Sequence, residues 1–170
     1  MIQHRFVSLL APFLAILAAL AQAQTERKSS TPEDRSKSVE VARSLESDPL
    51  GKSAKEQRNW MVHWLIDVPD ISVKVCANLL QPLLASNKNY APEIFTQMLA
   101  SSAAFIIANP ASAKDGVAVY TAAMEGSLRT YESILKLKPK ARWPYLDDLI
   151  EKRNRGELAE YVRQAAVHCK

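Results

Sequence analysis

Trp60, His63, Trp64 and Asp67 form the densest group of chemically capable side chains in the sequence. If the segment is helical, His63 and Asp67 stand at i and i+4, a spacing at which an imidazole and a carboxylate can share a metal ion. Zinc needs a third protein ligand, which His168 or Cys169 near the carboxyl terminus would have to supply. That set of His63, Asp67, His168 and Cys169 assembles only if two distant helices meet. The simpler reading puts the tryptophans in a core or an interface and His63 at its rim, so no metal or other cofactor is expected.

Arg142, Trp143 and Tyr145 surround Pro144 at a corner between two expected helices. Trp, Tyr and Arg are enriched where proteins bind one another, although a corner held by a buried Trp has the same sequence. Trp60, His63, Trp64, Arg142, Trp143 and Tyr145 are therefore the candidate binding residues. Catalytic signatures are missing. No G-x-S-x-G elbow occurs, and beyond residue 23 only His63 and His168 are available as imidazole bases. Asp147 and Asp148 are adjacent, so on a helix they diverge by about 100° and make no acid–base pair. Glycine-rich phosphate loops are absent as well.

Two readings stand for Cys76 and Cys169. As a disulfide they staple the carboxyl-terminal end to the middle of the chain, which in the chain-entropy model stabilises by up to about 4.7 kcal/mol for a loop near 100 residues. Otherwise Cys76 is a buried thiol on a helix face and Cys169 is loose at the chain end. Without a C-x-x-C motif, a bridge would be structural and not a redox centre.

The compartment is read from the first residues. Arg5 precedes an apolar run from Phe6 to Leu20, and Ala21-Gln22-Ala23 has the small-residue pattern of a cleavage site. That order marks a signal peptide over 1–23, with a mature protein that is periplasmic or secreted, where disulfides persist. Of 22 Lys and Arg only Arg5 is lost, against 18 retained Asp and Glu, so the mature formal charge is +3. No basic stripe with interleaved aromatics is present, and no nucleic-acid partner is expected. No membrane span is expected after cleavage.

The elements that must position these residues follow from periodicity and punctuation. Residues 24–52 are polar and read as a largely disordered leader, with a short helix at Ser38–Glu46. Ser53-Ala54-Lys55-Glu56 is a capping box for a helix running to about Asp67, and Asp70 is placed to cap the next element. Ile71, Val73 and Val75 alternate as in a strand, yet Cys76, Leu79 and Leu83 keep helical spacing. A helix over Ile71–Ser86 is expected, because no second strand exists to pair with the first part. Pro92 suits a first turn and Asn109-Pro110 a stop, while Ser112–Asp115 resembles a second capping box. The longest helix then runs to about Leu137, before Pro139. Pro144 opens another that ends near Gly156, and Leu158–Val167 makes the last.

The expected architecture is all-α: a single-domain antiparallel bundle of about six helices over 53–170. The expected function is that of an exported, non-catalytic domain that binds a protein or peptide. Its alternatives are a small enzyme or metal-binding protein using the His63 helix, or a carrier of an apolar ligand.

Overall fold

A computed structural model describes residues 27–167 and 169 of the chain. The expected signal peptide over 1–23 and the metal-ligand candidate His168 lie outside the described residues. Every regular element among the described residues is helical.

The leader is more ordered than its composition suggests. Thr31 caps α1 (Pro32–Ser47) through a reciprocal box in which the Asp34 N–H donates to Thr31 Oγ1 at 3.1 Å and the Thr31 N–H to Asp34 Oδ2 at 3.3 Å. Pro32 occupies the first turn, where its missing donor costs nothing. Disorder was expected through Arg35 because the segment lacks apolar residues. Polar capping and the burial of Val41, Ala42 and Leu45 farther along the same helix supply the order instead.

Asp70 holds this segment in place and caps nothing. Its carboxylate accepts from the Ser30 N–H at 2.8 Å, the Ser30 hydroxyl at 2.7 Å and Arg35 Nη2 at 2.7 Å. Partial burial raises its pKa, but these donors outweigh burial and hold the group at about 2, below the ordinary 3.8.

α2 (Ala54–Asp67) follows a turn in which the Ala54 N–H bonds Gly51 O at 3.1 Å. The expected Ser53 cap is not made: Ser53 has helical dihedrals, which aim its hydroxyl away from the first-turn donors. The chain then bends at Pro69–Ile71 and continues without regular structure to Cys76, and only Ala77–Leu84 is helical (α3). The helix expected to begin at Ile71 therefore starts six residues later. Ile71 and, in part, Val73 are buried by alternating toward a core without any strand partner.

α4 (Ala91–Ala108) carries Pro92 in its first turn and ends at Asn109. It has the length and apolarity of a membrane span, with a mean hydropathy of 1.3, which the sequence reading did not anticipate. Here it packs against α1, α2, α3 and α5 (Gly116–Leu137), the position of a core helix that is apolar on several faces. Ser112 lies in a 3₁₀ turn (Pro110–Ser112) and does not cap α5; Asp115 does, accepting from the Ala118 N–H at 3.1 Å. A second 3₁₀ turn (Pro139–Ala141) leads into α6 (Pro144–Asn154) and α7 (Leu158–Ala166). Gly156 lies between them at φ +75°, a conformation that favours glycine. The six helices expected over 53–170 are thus α2 to α7, and α1 in front of them is the short helix expected at Ser38–Glu46, begun six residues earlier at Pro32.

Two apolar clusters share the α4–α5 pair. One joins α3, α6 and α7 to Ile94, Met98, Met124, Leu128, Tyr131 and Ile134. The other joins α1 and α2 to Ala100, Ala103, Ile106 and Val119. Cys76 and Cys169 are bonded, with Cα atoms 5.3 Å apart, and this bridge fastens the end of the chain to the start of α3.

α4 and α5 run antiparallel and touch closely at Gly126. A Cβ there would overlap Ser101 Oγ and sit 2.6 Å from Ser101 Cβ and 2.8 Å from Glu46 Oε1. The absent methyl leaves room for a polar lock. Arg129 grips Glu46 through Nε at 2.8 Å and Nη2 at 2.9 Å, and Ser101 donates to Glu46 at 3.2 Å. Gln97 Nε2 bonds Ala42 O at 3.0 Å and Ser101 Oγ at 2.9 Å.

Two outcomes follow. Gly126→Ala should lower the unfolding free energy by about 2 kcal/mol, the cost of forcing a methyl into a packed contact, as read by urea titration. An unchanged midpoint would show that the crossing is loose. The Asp70 latch should contribute stability above about pH 4 and lose it as the pH falls toward about 2, because its folded pKa is depressed. Asp70→Asn should flatten that part of the urea-midpoint profile.

Candidate functional site

Trp60 and Trp64 stack on α2 with ring centroids 5.6 Å apart and planes 11° from parallel. Lys37 of α1 places its ammonium 4.2 Å from the Trp60 centroid, so the outer ring face is already taken by a cation of the same chain. Trp64 is buried, and its Nε1 has no partner among the described residues. His63 is exposed and its Nδ1 lies 2.7 Å from Asn59 O, a bond that needs the proton on Nδ1. The metal set considered for this helix loses its thiolate, because Cys169 is spent in the disulfide. Among the described residues no group of three His, Cys, Asp or Glu side chains is arranged to hold a metal.

The Arg142–Tyr145 corner belongs to the other apolar cluster, so the structure does not unite it with the Trp60–Trp64 group. The Trp143 N–H donates to the Tyr131 hydroxyl at 2.7 Å, and that hydroxyl donates to Asp147 Oδ1 at 3.0 Å. Arg142 Nη1 completes the chain on Asp147 Oδ2 at 3.3 Å. The Tyr145 hydroxyl donates to Leu79 O at 2.9 Å, tying α6 to α3, and burial pushes its pKa well up. Trp143 and Tyr145 are half-buried anchors of the corner, whereas Arg142 is exposed.

Beside this corner lies a solvent-open groove of about 720 Å³ that sequence reasoning missed. One wall is the turn before α4 and the first turn of that helix, with Asn87, Asn89, Tyr90, Pro92 and Glu93. The other is the end of α5 and the 3₁₀ turn after it, with Leu137, Lys138, Pro139, Lys140 and Ala141. The antiparallel pairing of α4 and α5 brings the two walls together. Leu137 is 57% exposed, an apolar side chain left in water at the groove edge.

The first wall is strained. Asn89 and Tyr90 have φ of 51° and 61°, and the Ala91 N–H closes the turn on Lys88 O at 3.0 Å. Two consecutive left-handed residues suit Asn at the first position, but the second is where glycine is the usual choice. A tyrosine there costs of order 1–3 kcal/mol, and such strain collects at sites that use the side chain. The signal available in sequence was the polar run Ser86-Asn87-Lys88-Asn89 followed by an aromatic, which marks a turn without revealing its handedness. Pro92, Lys138 and Pro139 were visible only as helix punctuation.

Tyr131→Phe should destabilise the chain by about 1–3 kcal/mol, since it leaves the Trp143 N–H and one Asp147 oxygen without their partner. Thermal unfolding reads this, and a change within error would mean that water replaces the hydroxyl. The chain matches no family model, no curated protein and no solved structure, so the site rests on its own geometry.

Proposed function

We propose that this chain is an exported, non-catalytic helical domain that binds a peptide segment of another protein in the groove between Tyr90 and Leu137. The observation that carries the reading is the groove itself, with one wall held in a costly backbone conformation that aims an aromatic residue at its edge. Its chemistry suits a peptide. The exposed carboxamides of Asn87 and Asn89 carry the same donors and acceptors as a peptide unit. Tyr90, Pro92, Leu137 and Pro139 provide apolar surface for side chains. A small ligand is usually enclosed over most of its surface, whereas an open groove suits a chain that keeps one side in water.

Export is supported by the charged, apolar and small-residue order of residues 1–23 and by the Cys76–Cys169 bridge, which belongs to an oxidising compartment. The protein then acts in the periplasm or outside the cell.

The test is selection of a random peptide library on the native, disulfide-bonded protein, followed by affinity measurement on the Tyr90→Gly variant. Glycine relieves the left-handed strain while deleting a half-buried ring, so stability should change by only about 1 kcal/mol. Selected peptides should lose at least about ten-fold in affinity on this variant. Peptides that bind Tyr90→Gly as well as the parent would place binding elsewhere and sink the proposal.

A further inference from the structure

We infer that the groove selects acidic peptide segments, an inference that rests on its being a peptide site. Lys138 and Lys140 line one wall, and Lys88 stands within the strained turn of the other. Glu93 is the one carboxylate among the lining residues.

Among the described residues no ion pair engages the side chains of these lysines; the pairs engage Arg35, Arg129, Arg142, Lys152, Arg153, Arg155 and Arg163. The dipole of α5 favours Lys138, its C-cap, but accounts for neither Lys88 nor Lys140. Lys136 already sits in its last turn, and the dipole's effect fades within that turn, while Lys140 lies beyond it. All three are exposed, as a cation that waits for an external partner must be. An acidic residue flanking an apolar peptide core would meet Lys138 or Lys140 while the core covers Leu137 and Tyr90. Exposed pairs each add a few-fold to affinity, so two together give about ten-fold.

The experiment compares two synthetic peptide pools with the same short core of Leu, Tyr, Pro and Ala. One pool carries Asp and Glu at its flanks and the other carries Lys and Arg. Fluorescence anisotropy against the native, disulfide-bonded chain should show the acidic pool binding about ten-fold tighter at low salt, with the advantage collapsing at high salt. The K138E/K140E variant should reverse the preference and K138Q/K140Q should abolish it. If both pools bind alike and both are weakened by Tyr90→Gly, the peptide reading stands and the acidic preference is wrong. If neither pool binds, both fail. Binding of phosphatidylglycerol vesicles through the same lysines, with no peptide binding, would also overturn it and make the groove a membrane contact.

Discussion

The close approach of α4 and α5 at Gly126 is the constraint on which the rest of the structure depends. With no Cβ in the way, Ser101 and the Glu46 carboxylate reach the same spot, and three helices are joined there. The Glu46–Arg129 pair is bidentate, a geometry that fixes orientation as well as distance. Glu46 in turn holds the Arg129 guanidinium above its usual pKa, first through hydrogen bonds and then through charge. Two apolar clusters build on this pairing, each recruiting its own pair or trio of helices.

From that pairing the groove follows. An antiparallel α4 and α5 place the beginning of one helix beside the end of the other, so the turn at Asn89–Tyr90 faces the Lys138–Ala141 turn. The corner at Trp143 supports the second wall from behind, because Tyr131 of α5 holds both the Trp143 backbone and Asp147 of α6. The disulfide fastens the chain end to α3, which leads into the strained turn of the first wall. Trp143 and Tyr145 thus brace the corner, and the groove is lined by helix ends and the turns beside them.

Helix punctuation was the legible part of the sequence. Pro92, Pro139, Pro144 and Gly156 all mark element ends, because proline and glycine act locally on dihedrals. Ile71–Cys76 misled because its burial is tertiary: a segment without regular structure can fill a core without a strand partner, and no local pattern says so. α1 was underestimated for a related reason. Its stability comes from the Thr31–Asp34 box and from Asp70, which is 35 residues from Arg35 in sequence. Whether Cys76 and Cys169 pair depends on two backbones meeting at 5.3 Å, a distance that spacing does not encode. The groove was invisible because its walls come from ends of α4 and α5 and the turns beside them. Its distinguishing feature, a tyrosine at positive φ, is conformational.

The most direct test of this account is native-state hydrogen exchange on the disulfide-bonded protein. If the α4–α5 crossing is the constraint that holds the rest, amides in the interiors of α4 and α5 exchange only through global unfolding. They then share one opening free energy, the highest in the chain, while α1 and α7 open at lower cost. The contradicting result is exchange in α4 and α5 through partial openings that leave α6 and α7 protected. The stability would then reside in the disulfide-linked half, and the crossing at Gly126 would be a consequence of the fold instead of its cause.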